Sequence, residues 1–280
     1  MTWTCYQLVY RLESPLHIGW RKAGNLMQTR RYVPGKNLWA ALTETLVRRT
    51  GRGHDAGAYQ AVGEELKRSF RFGYLWPARG TRQSDGTWQP PTVPHFPWDE
   101  ADPAYWDYLY LDGTAHTALD AAARAAAEGT LHEVEFIAPY TREGQPVYLV
   151  GDLWVRDDAQ GSIVQALPAA PEWKAAMQRL SIGGERGYGW GRMSLCSEIR
   201  EVSDGLSDVS IEVEERIPAH AIAVGDGSVP ALAGAIEPLV GWEIRNGRYE
   251  VHHSAIAYVP GSSVETRTKF KVTPYGVLES

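Results

Sequence analysis

Cysteine is scarce in this chain of 280 residues, which contains only Cys5 and Cys196. Neither belongs to a CxxC pair, so the sequence offers no disulfide framework and no structural zinc motif. Two isolated thiols are typical of a reducing compartment, and we expect a cytoplasmic protein without a metal site.

Long apolar runs are missing as well. No stretch approaches the roughly 20 apolar residues that a membrane helix requires. Residues 1–16 alternate polar and apolar side chains and do not resemble a secretory signal. We therefore expect no membrane among the partners of this protein.

The charge is uneven along the chain, although the net value is only −6. Residues 1–90 contain 14 Lys and Arg against 6 Asp and Glu, whereas residues 91–280 contain 14 basic and 28 acidic residues. A net negative charge argues against a nucleic-acid binder, because phosphate contacts require Lys and Arg. The asymmetry favours a basic face for a polyanion and other faces for protein neighbours, and a merely solvated surface is the alternative.

The hydrophobic patterns predict an α+β protein. Residues 1–200 contain both strand and helix patterns. The predicted strands are 4–12, 132–137, 147–155 and 192–196. The predicted helices are 58–70, 118–128, 172–180 and a helix that Asn37 caps and Gly51 ends. This order is close to a β-α-β-β-α-β unit, which predicts a ferredoxin-like, RRM-like domain. Residues 51–115, rich in Pro and Gly, form a predicted insertion.

After residue 200 the sequence patterns indicate a second unit. Strand patterns occur at 211–213, 219–224, 242–244 and 249–258, and a helix pattern at 229–239. A smaller second α+β unit over 201–280 is the expectation.

Five glycines fall within nine positions in the segment LSIGGERGYGWGR at 180–192. They are Gly183, Gly184, Gly187, Gly189 and Gly191. Glycine permits positive φ and exposes backbone amides, so this loop can press its main chain against phosphates. Arg186, Tyr188 and Arg192 add charge and a stacking ring, which suits single-stranded RNA.

The position of these glycines excludes a nucleotide-binding motif. They follow a predicted helix and precede a strand, which is the reverse of the order in nucleotide-binding motifs, so we expect no cofactor. A simple glycine-rich hairpin turn remains the other interpretation. Five basic residues flank the first loop and helix, and we expect them to line one groove with the glycines: Arg21, Lys22, Arg30, Arg31 and Lys36.

Two signatures resemble a known family. The helix, the GG-x-R-G-x-G-x-G-R loop and the following strand are similar to the glycine-rich loop of the RAMP superfamily, CRISPR-associated RNA-binding proteins of ferredoxin-like fold. The segments SPLHIG at 14–19 and YVPGKNL at 32–38 are similar to a second motif of this family. The resemblance implies that His17 and Asn25 of the first loop join the basic residues and the glycine loop in binding RNA.

The location of the loop in the chain indicates which member of the superfamily this sequence resembles. Processing endonucleases of the superfamily usually carry it near the C-terminus, whereas 88 residues follow Arg192 here. That layout resembles the subunit that caps the foot of type III effector complexes, and residues 258–263 and 270–276 are similar to the C-terminal part of such subunits in subtype III-D. The implied partners are the 5′ handle of the CRISPR RNA, the large polymerase-like subunit, the backbone subunits and, indirectly, target RNA.

Catalysis is not expected. Backbone subunits of the family cleave target RNA with an Asp in the first loop, but residues 17–31 contain no acid, and Asn25 lies roughly where that Asp would be. A metal-independent endonuclease that uses His17 with Lys22 and Tyr32 is one alternative. A repeating backbone subunit of the filament is another.

Overall fold

The computed structural model describes residues 1–120, 122–196, 198–222, 232–245 and 248–280. Residues 1–80 form a long strand, a hairpin, two helices and two short strands: β1 (Trp3–Leu12), β2 (Gly19–Ala23), β3 (Leu26–Thr29), α1 (Gly35–Arg49), α2 (Ala56–Ser69), β4 (Phe70–Phe72) and β5 (Trp76–Arg79).

Residues 81–196 mix short strands with three helices. These elements are β6 (Thr81–Arg82), β7 (Trp88–Gln89), α3 (Pro103–Tyr110), β8 (Leu111–His116), β9 (Leu119–Asp120), β10 (Ala125–Ala126), β11 (His132–Ile137), β12 (Val147–Arg156), α4 (Ala159–Ala166), α5 (Trp173–Ala176), β13 (Arg179–Ser181) and β14 (Arg192–Leu195).

The described residues after 198 form strands and no helix. They are β15 (Arg200–Leu206), β16 (Ser210–Val213), β17 (Ala221–Ile222), β18 (Leu232–Ala233), β19 (Ile236–Arg245), β20 (Arg248–Tyr258), β21 (Ser263–Val264), β22 (Thr268–Val272) and β23 (Leu278–Glu279). The α+β class of the whole chain is confirmed. The described part of the second unit consists of strands, of which β15 pairs with β1 of the first unit.

Helix α1 lies where the apolar spacing predicts it. Leu38, Leu42 and Leu46 recur every four residues and are completely buried, as expected for a helix that packs one face on a sheet. The helix begins at Gly35, so Asn37 lies inside its first turn and is not its cap.

A seven-stranded sheet forms the centre of the molecule. Its strand order is β13-β14-β1-β12-β4, with β15 also beside β1 and β5 also beside β12. Every pairing in it is antiparallel. Along the chain, α1 and α2 lie between β1 and β4, and α4 and α5 lie between β12 and β13.

One predicted strand belongs to a different sheet. Residues 132–137 are extended as predicted, but β11 pairs with β3 and β8 in a four-stranded sheet of order β2-β3-β11-β8. The central sheet takes β4 and β5 instead, from within the predicted insertion at 51–115. Strand β4 has only three residues and follows α2 directly, so no periodicity or turn signal separates it from the helix.

The central sheet is covered on both faces. From β1, Leu8, Tyr10 and Leu12 pack in the core that includes the helices, whereas Cys5 packs in a second core with Phe270 of β22 and other C-terminal side chains. Successive strand residues face opposite sides. The helices therefore lie on one face, and the six-stranded sheet β16-β22-β23-β17-β20-β19 lies on the other.

Three predicted helices are wrong or too long. Residues 118–128 contain β9, a turn and β10, with residue 121 outside the described residues; alanine favours a helix, but the segment closes a hairpin in which the amide of Ala127 donates to Ala118. In 172–180, only Trp173–Ala176 is helical, and β13 begins at Arg179.

The third of these helices, at 229–239, is extended in its described part, since β18 and the start of β19 occupy it. Residues 229–231 lie outside the described residues, as do 223 and 224 of the predicted strand 219–224. No described helix is long and apolar enough to cross a membrane.

Candidate nucleic-acid interface

The glycine loop, residues 183–192, lies directly on the first loop. The amide of Gly184 donates to the carbonyl of His17 (2.8 Å), and the amide of Gly191 donates to the carbonyl of Pro15 (2.8 Å). The amide of Arg192 donates to Oγ of Ser14 (2.9 Å). The two motifs, far apart in sequence, thus form one surface element.

Two of the glycines are required by contact with the protein itself, and a third packs closely against it. Gly183 has φ +84°, and an added Cβ would lie 2.4 Å from the carbonyl oxygen of His17. Gly191 has φ +74°, and its Cβ would lie 1.8 Å from the carbonyl oxygen of Ile182. A Cβ on Gly184 would lie 3.1 Å from the His17 ring. Close protein packing, and not phosphate contact, explains these positions.

The outer part of the glycine loop faces solvent. Glu185 (φ +55°) and Gly189 (φ +83°) adopt left-handed backbone on either side of the 3₁₀ turn Arg186–Tyr188. Within the described chain, the amides of Glu185, Arg186 and Gly187 donate to no other group. The Tyr188 side chain is 75% exposed. Successive unpaired amides beside a left-handed residue form a concavity that suits an anion.

His17 is enclosed between the glycine loop and β11. The residue is 8% exposed, and its Nδ1 lies 2.7 Å from the carbonyl oxygen of Glu135. A carbonyl only accepts, so Nδ1 carries the hydrogen and Nε2 is the basic nitrogen. This arrangement fixes the ring and stabilises the contact of the first loop with the four-stranded sheet.

Two predicted phosphate ligands are held by acids. Nη1 of Arg30 lies 2.6 Å from Oε1 of Glu237, and Nη2 of Arg31 lies 2.5 Å from Oδ2 of Asp107. The Arg30 side chain is only 19% exposed. Arg30 is therefore turned toward the protein, whereas the Arg31 side chain, 42% exposed, forms its ion pair at the surface.

The remaining residues of the predicted basic cluster are exposed. Arg21 and Lys22 lie on β2, where the Arg21 guanidinium stacks 4.0 Å from the centre of the Trp20 ring. Asn25 lies in the turn between β2 and β3, and Lys36 lies on the first turn of α1. Among the described side chains, neither lysine forms an ion pair.

The two arginines of the glycine loop differ in their partners. Nη1 of Arg186 lies 2.5 Å from Oε2 of Glu44 on α1. Arg192 is exposed, and no described acid pairs with it. Both side chains can reach a ligand on the outer surface of the loop.

An aromatic cluster adjoins the loop and was not predicted. The His116 ring lies 6.0 Å from the rings of Tyr188 and Trp190, and Trp190 lies 5.0 Å from Phe136. His116 and His132 are opposite each other in the β8–β11 pairing, with ring centres 5.6 Å apart. The pairing of these strands brings the rings together, so no sequence motif indicates the cluster.

A buried polar network holds Arg30 in place. His220 is 2% exposed; its Nε2 lies 2.6 Å from Oε1 of Glu237, and its Nδ1 lies 2.7 Å from the Tyr74 hydroxyl. Burial lowers the pKa of His220, so the neutral ring donates from Nε2 and accepts at Nδ1. Burial would raise the pKa of Glu237, but the hydrogen bond from His220 and the charge of Arg30 outweigh it and lower the pKa to about 2.

The geometry can bind an anion. It combines exposed loop amides, at least one unpaired arginine and an exposed ring, which are the groups that hold a single-stranded nucleic acid. In the described residues, no three His, Cys, Asp or Glu side chains lie close enough to hold a metal ion.

Comparison of folds finds a related architecture. A chain in the cryo-EM structure of the Type III-B Cmr-beta bound to cognate target RNA and AMPPnP matches with a TM-score of 0.51 at 15% identity, covering 92% of this chain and 85% of that chain. Chains of the Cmr-beta bound to cognate target RNA and of its apo state match with TM-scores of 0.44 and 0.42, each at 10% identity, over 68% and 71% of this chain and 96% and 98% of those chains.

At these identities the likeness concerns the fold alone. No protein-family model matches the sequence, and no curated protein is similar to it.

Proposed function

We propose that this chain is a non-catalytic RNA-binding subunit of a type III CRISPR effector complex. It grips the 5′ handle of the CRISPR RNA and nucleates assembly with the large polymerase-like subunit. The observation that carries the proposal is the glycine loop, whose inner glycines anchor it to the first loop while its outer amides, Arg192 and Tyr188 remain exposed.

The arrangement of elements supports a ferredoxin-like assignment of the RAMP type. The central sheet contains β1, β4, β12 and β14 in adjacent positions, and helices connect the first to the second and the third to the fourth. This is the connectivity of a β-α-β-β-α-β unit. The fold likeness to a chain of the Type III-B Cmr-beta is consistent with it.

The surroundings of the first loop favour holding RNA without cutting it. Two acids near it are engaged: Oε2 of Glu135 accepts from the amide of Thr29 (3.0 Å), and Glu237 binds Arg30 and His220. His17 is buried, with one ring nitrogen bound to a carbonyl. A general base must reach the proton that it removes, and this position hinders it.

The other surfaces would serve protein partners in the cytoplasm. The acidic balance of residues 91–280 suits contact with basic surfaces of backbone subunits and of the large subunit. Target RNA would be reached only indirectly, through the guide. Native mass spectrometry of the assembled complex should find one copy of this chain, whereas several copies would favour a backbone subunit.

Replacement of both loop arginines tests the RNA grip. For R186A/R192A, we expect binding of a labelled handle RNA to weaken by about tenfold and the salt slope to fall by roughly 1.4, because each phosphate contact in single strands contributes about 0.7. Fluorescence anisotropy over a salt series measures both quantities.

A charge-matched double variant provides the control. Arg68 and Arg267 are exposed to 70% and 64% and lie outside the loop, so R68A/R267A should leave the slope nearly unchanged. Equal affinities and slopes for the two double variants would contradict the grip. Incubation with repeat RNA in EDTA should give no product; specific cleavage that H17A abolishes would establish the endonuclease instead.

A further inference from the structure

A cleft separates helix α1 from the glycine loop beside β13, the edge strand of the central sheet. It encloses about 670 Å³, and its charged lining residues are Arg48, Arg179, Arg186, Arg192, Glu13 and Glu44. Four arginines against two glutamates give the cleft a local excess of positive charge in a chain whose net charge is −6. Such a cleft attracts a polyanion that the rest of the surface repels.

The register of β13 and β14 explains why two of these arginines face the cleft. Ser181 pairs directly with Arg192, and directly paired residues share a face of the sheet. Leu180 and Met193 are buried at 4% and 1% exposure, so they occupy the opposite, inner face. Alternation along the strand therefore places Arg179 on the same outer face as Arg192.

Helix α1 supplies the opposite wall. Glu44 and Arg48 are one turn apart, and Oε1 of Glu44 lies 3.0 Å from Nη2 of Arg48. The other oxygen of the same carboxylate lies 2.5 Å from Nη1 of Arg186. Glu44 thus occupies the position of an anion between two guanidinium groups, while no described acid pairs with Arg179 or Arg192.

We infer that this cleft binds the sugar–phosphate backbone of single-stranded RNA, with Arg48 and Arg179 as phosphate-contacting residues beside Arg186 and Arg192. The inference rests on the proposed function and extends it to α1 and β13. Guanidinium groups bind phosphate oxygens in bidentate geometry. Arg186 and Gly187, whose amides are unpaired, line the same cleft and provide further donors to the RNA backbone.

Purely structural roles for Arg48 and Arg179 do not explain why both residues line the cleft. A charged residue on an edge strand discourages pairing with another sheet, which would explain Arg179 alone. An i,i+4 pair on a helix would explain Arg48 alone. Neither explains why both converge with two loop arginines on one cleft.

The double variant R48A/R179A tests the inference on the full-length protein. With a labelled single-stranded oligoribonucleotide of mixed sequence, we expect about tenfold weaker binding at moderate salt and a salt slope lower by roughly 1.4. R48K/R179K keeps the charges, so it should keep the salt slope while its affinity falls between those of the wild type and R48A/R179A, because lysine cannot bind phosphate in bidentate geometry. Arg68 lies in the last turn of α2 as Arg48 does in α1, so R68A/R267A is again the matched control.

Glu44→Gln provides a second test, in which the expected result is tighter RNA binding. A variant that fails to fold cannot produce this result. Removal of the carboxylate leaves Arg48 and Arg186 without their anion, so RNA should bind several-fold more tightly. Unchanged or weaker binding by E44Q would overturn the placement of a phosphate at this position.

The outcomes separate the inference from the function on which it rests. If R186A/R192A weakens RNA binding and R48A/R179A does not, the inference that the cleft binds RNA is overturned, whereas RNA binding by the glycine loop is supported. If R48A/R179A leaves RNA binding intact but reduces retention on immobilised polyglutamate, the cleft takes an acidic protein segment, which also overturns the inference. Loss of RNA affinity in both double variants, with E44Q tighter, supports it.

Discussion

At the scale of single residues, the glycines of the loop divide into two groups with different tasks. Gly191 combines φ +74° with close approach to the Ile182 carbonyl, whereas Gly187 has open space around it and no positive φ. The same substitution must therefore have different effects at two positions only four residues apart.

Gly191→Ala should destabilise the protein by about 2 kcal/mol or more, because the left-handed backbone disfavours a side chain and the new methyl group meets a carbonyl. Gly187→Ala should change the free energy of unfolding by less than about 0.5 kcal/mol. Urea denaturation of both variants measures the difference. Similar values for the two would mean that the loop is not anchored through Gly191.

The sequence predicts which residues form the loop, but it does not predict what each of them contacts. Five closely spaced glycines indicate backbone contact, and the structure shows that much of this contact is with Pro15 and His17. Arg30 shows the opposite problem. The next residue, Arg31, is also basic, but the partner of Arg30, Glu237, lies 207 positions away, so no local pattern could reveal that Arg30 is buried in an ion pair.

At the scale of elements, the network of Arg30, Glu237 and His220 joins the segment before α1 to β19. Both side chains of the Arg30–Glu237 pair are less than one-fifth exposed. Removing one member of such a pair leaves an uncompensated charge in a poorly solvated place. The exposed pair Arg267–Glu212 offers a contrast, since its side chains are 64% and 53% exposed.

Glu237→Gln should lower the free energy of unfolding at neutral pH by about 2–4 kcal/mol, whereas Glu212→Gln should lower it by less than about 1 kcal/mol. Denaturant titrations of both variants against the wild type measure these values. Equal effects would show that the network contributes no more than a surface pair.

The same variant has a defined pH dependence. The pKa of Glu237 is lowered from 4.5 to about 2, so its contribution is fully present above pH 4.5 and is lost as pH falls toward 2. The stability difference between wild type and E237Q should therefore shrink as pH falls below 4.5. The lowered pKa of His220 makes the wild type lose stability as pH falls below the ordinary histidine value of 6.5.

Long, strongly patterned elements are predictable from the sequence, and short ones are not. Helix α1 and strands β1 and β12 follow from apolar spacing, because each buries a face along its whole length. Strand β4 and the hairpin of β9 and β10 exist only through their pairings. The alanines of 118–128 favour a helix locally, and tertiary pairing overrides this preference.

At the scale of the whole molecule, the central sheet is the middle of three layers. Its second face, which includes Cys5, Trp76 and Trp154, packs against C-terminal side chains. Aromatic residues on that face are therefore core residues, so the proposed RNA would contact the loops and clefts around the sheet. The abundance of tryptophan in the sequence does not distinguish packing from base stacking; Trp106, Trp76 and Trp154 serve packing.

The C-terminal part is expected to be indispensable for folding. Nε1 of Trp76 donates to the carbonyl of Pro218 (2.8 Å), and the amide of Phe72 donates to the carbonyl of Pro274 (3.1 Å). A chain that ends after residue 207 loses both acceptors and exposes the apolar face around Trp154. Because buried donors without partners and uncovered apolar surface are both costly, the shortened chain should not fold cooperatively.

Thermal and urea unfolding should distinguish the two forms. The full chain should unfold in one transition that far-UV circular dichroism and tryptophan fluorescence report identically, whereas the shortened chain should bind a hydrophobic dye and lack near-UV circular dichroism. Shortening the exposed turn between β6 and β7 serves as the control, since it removes chain from neither core. A cooperative transition in the shortened chain would instead mean that residues 1–207 fold without the covering sheet, and that the face around Trp154 is open to a partner.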